Sequence, residues 1–260
     1  QMALSHAGGV RIDHILGMFR LWWIPQGNLA KDGTYVRYDH EALIGIIALE
    51  ALRSGAIVIG EDLGTVEPWV RDYLSSRGIL GTSVLWFETD LAGNPVPPEH
   101  WREYCMAAVT THDLPPTAGY LRKDHVKLRN ELGLLTVPVE QEEQAAEQEQ
   151  AGWMNVLAQR DLIKQDTNDH VEDQVLALHR FLVQTNSRVL NVALVDAVGD
   201  RRVQNQPGTW KEYPNWQVPL SGTDGRPVFL DEIFAMERPM RLAAVMNGWA
   251  NVPQPFLAED

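Results

Sequence analysis

Residues 57–61, Ile-Val-Ile-Gly-Glu, are the clearest indication of the fold, because a nearly continuous apolar run leads directly into an acid. Such a run is typical of a strand that is buried on both faces of a parallel sheet. A helical pattern precedes it over residues 40–54 and ends at Gly55, and another follows over residues 67–76, with Pro68 in its first turn. This helix–strand–helix order predicts an α/β protein.

Other short apolar runs predict the remaining strands of the sheet, at residues 9–13, 83–87, 106–111 and 191–195. A closing helix is predicted over residues 230–246. Residues 121–181 have apolar positions at three- and four-residue spacing, which predicts a helical insertion that is broken at Pro138.

The composition narrows the class of protein. With 260 residues and 45% apolar content, the chain can bury a large core in one or two domains. A net charge of −13 repels phosphate backbones and anionic membrane surfaces, so we expect no nucleic acid and no membrane as partner. The single cysteine, Cys105, cannot form an internal disulfide, which fits a cytoplasmic location.

Three predicted strands run directly into polar residues and then into a Gly or Pro turn. The three strand ends are Asp13-His14-Ile15-Leu16-Gly17, Glu61-Asp62-Leu63-Gly64 and His112-Asp113-Leu114-Pro115. In parallel α/β folds, reactive groups gather at the carboxyl ends of the strands, so three such ends favour a functional site. For any single acid, capping of the following helix is an equally good explanation.

Two of these acids are expected to have opposed environments. Arg11 lies two positions before Asp13 on the same strand face, and its positive charge would keep Asp13 ionised. An ionised Asp13 could be a nucleophile, a metal ligand or one half of a structural ion pair. Glu61 shares its face with the isoleucines of its strand, and apolar surroundings favour the protonated form that a general acid needs. Gly60 leaves room for a close neighbour, whereas Asp62 is expected to cap the next turn.

One carboxyl group that attacks and one that donates a proton together indicate glycosidic chemistry. At a separation of about 5–5.5 Å, the reaction retains configuration through a covalent glycosyl-enzyme. The chain has nine tryptophans, and the apolar faces of sugars pack well on indole rings. Candidates in loop-like surroundings, for which ordinary packing is the alternative, are Trp22, Trp23, Trp210 and Trp216.

Together these motifs resemble the 4-alpha-glucanotransferase family, whose members are called amylomaltase or disproportionating enzyme and belong to the α-amylase clan. The segments that carry the resemblance are residues 9–14, 59–64, 110–115, 205–209 and 212–216. Their order, spacing and strand-end placement agree with the family, and the resemblance covers nearly the whole chain. It implies an α/β fold that is a partial (β/α)8 TIM barrel, about strands 4–8, with the helical insertion at about residues 121–181.

The resemblance also implies roles for six residues. Asp13, at the end of the fourth barrel strand, would be the nucleophile, and Glu61, at the end of the fifth, the general acid/base. Asp113, at the end of the seventh, would bind sugar hydroxyls and stabilise an oxocarbenium-like sugar. Arg11 would keep the nucleophile ionised, and His112 would hydrogen-bond the same sugar. Asn205 would line the donor side of the site.

The implied reaction is the retaining transfer of α-1,4-glucan segments between maltodextrin donors and acceptors, through a covalent glycosyl-aspartate. It needs no metal and no organic cofactor, and its partners are α-1,4-glucans such as maltodextrins and fragments of starch or glycogen. We expect the three acids to converge around one glucose unit.

The chain departs from the family pattern in two ways. It begins, at Gln1, immediately before the strand that corresponds to the fourth of the barrel, so residues 1–260 are expected to be the C-terminal portion of a longer catalytic domain. The resulting open edge allows a homo-dimer, and the activity of the chain alone stays open. Leu114-Pro115-Pro116 follows Asp113 where many members carry Asn and then an acidic or polar residue, which leaves the preferred glucan length open.

Two other functions remain alternatives at this point. A metal-dependent barrel hydrolase would use His14, Asp62, His112 and Asp113, although these ligands are scattered and lack a His-x-His start. A non-catalytic glucan-binding fragment is the other alternative, and the position at which the chain begins motivates it.

Overall fold

A computed structural model describes residues 2–164 and 170–248. Within these residues the chain forms two compact units. Among the described residues, unit 1 is drawn from residues 2–83, 102–107 and 187–189, and unit 2 from residues 84–101, 108–164, 170–186 and 190–248. Residues 165–169 of the predicted insertion lie outside the described residues.

The described strands and helices alternate through much of the chain. The strands are β1 Gly9–Ile12, β2 Arg20–Trp23, β3 Thr34–Arg37, β4 Ile57–Gly60, β5 Ile79–Val84, β6 Cys105–Ala108 and β7 Val189–Asn191. The helices are α1 His40–Ser54, α2 Pro68–Ser76, α3 Thr117–Leu121, α4 Asp124–Glu131, α5 Val139–Gln159, α6 Val171–Val183, α7 Leu194–Val198, α8 Leu230–Ala235 and α9 Glu237–Met246.

Five of the strands form one sheet in the order β1-β4-β5-β6-β7, and β2 and β3 form a separate antiparallel hairpin. The pairs β1–β4 and β4–β5 are parallel. Ile12 is opposite Gly60 in the first of these pairs, and the N–H of Glu61 donates to the carbonyl of Ile12 over 2.9 Å. Asp13 and Glu61 therefore follow neighbouring strands at the same edge of the sheet. The sequence alone could not specify this register between β1 and β4.

Helix α1 has the boundaries that its sequence predicts. The side chain of Asp39 accepts a hydrogen bond from the N–H of Ala42 at the first turn, and Gly55 ends the helix with a φ of +62°. Its apolar side contributes to the core of unit 1, which consists of Leu4, Ile15, Phe19, Ile44, Ala51, Val58, Val70, Leu74 and Ile79.

Unit 2 is built largely from helices. The predicted insertion divides into α4, α5 and α6, and the break at Pro138 is confirmed because this residue caps the start of α5. Trp153 and Phe181 are fully buried, with ring centroids 5.3 Å apart. Helix α6 also packs against α9, where Leu176 and Leu242 are buried together.

Several predicted element boundaries are wrong. The third strand lies at Ile79–Val84 rather than at residues 83–87, since Leu85–Phe87 form a 3-10 turn. The predicted strand at residues 191–195 is instead the end of β7 followed by helix α7, and the predicted helix at residues 230–246 is two helices, α8 and α9. The strand predicted at residues 106–111 is β6, which ends earlier.

The β2–β3 hairpin was not predicted at all. Trp22 and Trp23 belong to its first strand and not to a loop. Ten residues separate β2 from β3, so the two-residue turn that usually signals a hairpin is missing. No helix within the described residues has the length and apolar character needed to cross a lipid bilayer.

Candidate active site

The first group of site residues lies at the carboxyl ends of β1 and β4, in unit 1. Nη1 of Arg11 donates to Oδ1 of Asp13 over 2.6 Å, and Nδ1 of His14 lies 2.8 Å from Oδ2 of Asp13. Burial by itself raises the pKa of Asp13, but the hydrogen bonds and positive charge of Arg11 and His14 outweigh it and lower the pKa below its ordinary value. The predicted pairing of Arg11 with Asp13 is confirmed, and Asp13 is a carboxylate at neutral pH.

Glu61 is buried, as the pattern of its strand predicts, with 9% of its surface exposed. Its surroundings are more polar than predicted, because both carboxyl oxygens accept backbone hydrogen bonds. The N–H of His14 donates to Oε2 over 3.0 Å, and the N–H of Leu63 donates to Oε1 over 2.6 Å. These two bonds fix the direction of the carboxyl group.

An oxygen of Asp13, an oxygen of Glu61 and a ring nitrogen of His14 all lie within 4.8 Å of one another. Three such atoms could hold a cation, but Arg11 already bonds Asp13 and its positive charge would oppose one. The arrangement is better suited to two carboxyl groups that act on opposite sides of one reacting atom.

The backbone around these two acids is tightly constrained. His14 has a φ of +47°, in the left-handed region that residues other than glycine rarely adopt. Gly60 is required for close packing, since a Cβ atom at this position would lie 2.5 Å from Cδ1 of Ile15. The close approach that the sequence predicts at Gly60 is confirmed, and the neighbour is this core isoleucine.

Asp62 does not cap a turn, which corrects the prediction for it. Its side chain is 1% exposed and lies between two arginines: Nη1 of Arg102 is 2.6 Å and Nε of Arg71 is 3.3 Å from Oδ2. The N–H of Thr82 donates to Oδ1 over 2.8 Å. Because both carboxyl oxygens of Asp62 are already bonded, this residue is not available as a metal ligand. The alternative of a metal-dependent barrel hydrolase, which needs Asp62 as a ligand, is therefore weakened.

The second group of site residues lies in unit 2. Nδ2 of Asn205 donates to Oδ1 of Asp113 over 2.6 Å, and Nε2 of His112 lies 3.3 Å from Oδ2 of the same carboxylate. The N–H of Asn205 also donates to the carbonyl of His112 over 3.2 Å. Asn205 is thus brought from 92 residues away to the adjacent pair His112 and Asp113, whose acid is half-exposed.

Trp216 completes this second group. Its ring centroid lies 5.2 Å from that of His112, and its backbone has a φ of +62°. The indole is 64% exposed, so an aromatic face is available next to the acid. The other tryptophans proposed for sugar binding are also exposed, as that role requires, and they are Trp22, Trp23 and Trp210.

Two contacts within the candidate site were not predicted from the sequence. His14 was considered only as a metal ligand, although it touches Asp13 through its ring and Glu61 through its backbone. The position of Trp216 beside His112 was also not foreseen. Its place in a Tyr-Pro-Asn-Trp segment, soon after Asn205, was the one available signal.

Comparison with known proteins identifies the family. The profile of the family described as 4-alpha-glucanotransferase matches residues 1–224. The 4-alpha-glucanotransferase of Mycobacterium tuberculosis is 60% identical over 257 residues, which are 97% of this chain and 36% of that protein. The Haemophilus influenzae 4-alpha-glucanotransferase is 33% identical over 223 residues, covering 82% of this chain and 31% of that protein.

A solved structure agrees with this result. The crystal structure of amylomaltase from Corynebacterium glutamicum matches with a TM-score of 0.88 and 44% identity, covering 94% of this chain and 36% of that one. The predicted α/β partial barrel is therefore confirmed. The chain spans about a third of the length of these two curated relatives, and it belongs to the 4-alpha-glucanotransferase family.

Proposed function

We propose that this chain carries the catalytic acids of a retaining 4-alpha-glucanotransferase. The observation that supports it most is the approach of Asp13 and Glu61, whose nearest oxygens are within 4.8 Å. That distance belongs with the roughly 5–5.5 Å of retaining enzymes and not with the 6.5–9.5 Å of inverting ones. The family to which the chain belongs supports the choice of α-1,4-glucans as donor and acceptor.

In the first step, a carboxylate oxygen of Asp13 forms a bond to the anomeric carbon of the donor glucan. The bond from that carbon to the 4-oxygen of the next glucose breaks, and Glu61 gives its proton to this oxygen. Arg11 keeps Asp13 in the ionised form that can attack. The product is a glycosyl ester on Asp13 together with a free shortened glucan.

In the second step, Glu61 takes the proton from the 4-hydroxyl of an acceptor glucan. The resulting oxygen attacks the anomeric carbon, the ester bond to Asp13 breaks, and a new α-1,4 bond forms with the original configuration. The proton that Glu61 gives in the first step is regained in the second, so the cycle balances without an electron carrier, and the proposal includes no metal and no organic cofactor.

The second group supplies the contacts to the sugar in this proposal. Asp113 binds sugar hydroxyls and stabilises the oxocarbenium-like sugar, and its carboxyl group is oriented for this role by two polar neighbours. His112 hydrogen-bonds the same sugar, and Asn205 lines the donor side. The exposed indole of Trp216 offers a face on which a glucose ring can pack.

The test uses the full-length protein incubated with maltotriose. We expect glucose together with oligosaccharides longer than the substrate, since transfer regenerates a glycosidic bond. Asp13→Ala should lower kcat by roughly 10³-fold or more. Asp72→Ala, which removes an exposed acid of α2 in the same unit, is the matched control and should leave kcat unchanged. Glucose without longer products would identify a hydrolase, and full activity of Asp13→Ala would refute the mechanism.

The proposal places the reaction in the cytoplasm, supported by the single cysteine, which cannot form an internal disulfide. It also includes a homo-dimer through an open sheet edge, since β1 and β7 are the outer strands of the five-stranded sheet. Sedimentation of the chain at several concentrations tests the dimer, and a constant monomer mass would exclude it.

A further inference from the structure

Asp113 is followed by a short segment that has little conformational freedom. Leu114-Pro115-Pro116 leads from this acid to Thr117, the first residue of α3. The ring of each proline fixes its φ angle, so the direction of the chain at Thr117 largely sets its direction at Asp113. The hydroxyl of Thr110 also donates to the carbonyl of Pro115 over 2.8 Å. A group that holds Thr117 therefore acts on Asp113 through a stiff connection.

Asp196, in helix α7, is the residue that holds Thr117, although 79 residues separate the two. The N–H of Thr117 donates to Oδ1 of Asp196 over 2.7 Å, and its hydroxyl donates to Oδ2 over 2.6 Å. Both residues are buried. Because one bond comes from the backbone and the other from the side chain, the pair of bonds fixes both the place of Thr117 and the rotation of its side chain.

The carboxyl group of Asp196 has a cost that packing alone does not require. Burial raises the pKa of Asp196, so its ionised form is unfavourable at this position. His179 is also buried, but its Nε2 lies 3.9 Å from Oδ2 of Asp196, beyond hydrogen-bond distance. Arg238 donates to the backbone carbonyl of Asp196 and not to its carboxyl group. An apolar side chain of similar volume would avoid the cost of burial, so what the carboxyl group adds here is its two bonds to Thr117.

Helix α3 also packs against the segment that leads to the other support of Asp113. A Cβ atom at Gly119, the third residue of α3, would lie 2.4 Å from the carbonyl oxygen of Arg201. Arg201 is four positions before Asn205, whose side chain donates to the carboxyl group of Asp113. The acid is therefore held from two directions, directly by Asn205 and along the chain by Thr117.

We propose that Asp196 and Thr117 are positioning residues for glucan transfer, which hold the loop of residues 112–117 so that the carboxyl group of Asp113 meets the sugar in one orientation. Neither residue touches the substrate, and both act through Asp113. The inference rests on the proposed function and deepens it. When the bonds to Thr117 are weakened, the carboxyl group of Asp113 is still present but adopts other orientations, which reduces its stabilisation of the transition state.

Thr117→Val in the full-length protein is the variant that tests this inference. Valine has nearly the shape of threonine and keeps the N–H, so only the hydroxyl bond to Asp196 is lost. We expect kcat/KM for maltotriose to fall about tenfold, the effect of one buried hydrogen bond left unmade. Thr117→Ser, which keeps the hydroxyl, should stay within about twofold of the parent. Thr185→Val is the matched control and should also stay within about twofold, because it removes a 2.8 Å hydroxyl bond to the carbonyl of Leu182 in the same unit, outside both groups of site residues.

A double-mutant cycle with Asp113→Asn separates positioning from a general structural role. All four proteins are assayed with α-maltosyl fluoride, a reactive donor with which slow variants can still be measured. If Thr117 acts through Asp113, adding Thr117→Val to Asp113→Asn lowers kcat/KM by less than about twofold. A further loss of about tenfold in that background would overturn the inference, because the hydroxyl would then act independently of the acid. Asp196→Asn keeps the volume and exchanges one acceptor for a donor, and it serves in the same cycle if Thr117→Val does not fold.

Hydrogen exchange separates this inference from the proposed function, because it requires no turnover. The N–H of Leu114 donates to the carbonyl of Thr111 over 3.2 Å, so its protection reports on the loop that carries Asp113. Thr117→Val should speed exchange at this amide about tenfold, and Thr185→Val should not. If the parent transfers no glucan but exchange is still faster in Thr117→Val, the proposed function fails and the hold on Asp113 stands. If exchange at Leu114 is the same in Thr117→Val as in the parent, the inference is overturned.

Discussion

Arg102→Met should destabilise unit 1 far more than the loss of an ordinary surface ion pair. Arg102 donates to both carboxyl oxygens of Asp62, over 2.6 and 3.2 Å, and also to the carbonyl of Thr82. The side chain of Asp62 is 1% exposed, so its charge cannot be solvated once the guanidinium is gone. Removing one partner of a buried pair costs about 3–5 kcal/mol. Arg71 and the N–H of Thr82 remain in contact, so we expect the lower end, about 3 kcal/mol.

The measurement is equilibrium urea unfolding of the full-length protein, with hydrogen exchange at the Thr82 amide as the local probe of β5. Arg188→Met is the matched control, because both side chains of the Arg188–Glu103 pair in unit 1 are exposed and such pairs contribute about 0–1 kcal/mol. The double variant Arg102→Met/Asp62→Asn should recover part of the loss, since the uncompensated charge is then removed. If Arg102→Met loses no more stability than Arg188→Met, the buried pair with Asp62 does not contribute in this way.

Three further predictions concern the surroundings of the two groups of site residues. Arg11→Leu removes a cause of the lowered pKa of Asp13, so the acid limb of the kcat/KM profile should move to higher pH; an unmoved limb in the pH–rate profile would exclude this role. In a thermal unfolding assay, Gly60→Ala should destabilise the protein by about 1–3 kcal/mol through overpacking against Ile15. Gly45→Ala in α1 is its control, since no atom lies within 4 Å of the new Cβ, and it should stabilise the protein by about 0.5–1 kcal/mol. Burial lowers the pKa of His125 from 6.5 to about 4, so the folded state binds fewer protons than the unfolded state between these values. The free energy of unfolding should therefore fall as the pH drops from 6.5 towards 4. Proton NMR should show the ring of His125 titrating only near pH 4.

The elements with a clear local signal were predictable. Helix α1 carries an acid at its start and a glycine at its end, and β4 is almost purely apolar, so both have boundaries close to those predicted. The position of strand β5 was predicted incorrectly because its buried residues include Thr82 and Ser83, whose polar side chains are typical of exposed positions. Their burial is stabilised by partners 20 or more residues away, such as Asp62 and the carbonyl of Gly60. A local pattern contains no information on such partners.

The candidate site was proposed from the sequence as a set of residues, and only part of its geometry could be predicted. The resemblance to the family named all six residues, and each lies in one of the two groups described above. Spacing within one strand was enough to pair Arg11 with Asp13. It could not have paired Asn205 with Asp113, because 92 residues separate them. The convergence of Asp113 with Asp13 and Glu61 around one glucose unit stays a prediction.

The unusual backbone of His14 has a consequence for how the first group tolerates change. His14 contacts Asp13 through its imidazole and Glu61 through its peptide amide. Replacing the imidazole therefore frees only one of the two acids, because the peptide amide is untouched by most substitutions. Proline would be the exception, since it has no amide hydrogen and cannot adopt a positive φ. A complete substitution scan at this position should accordingly show a graded loss for most side chains and a much deeper one for proline.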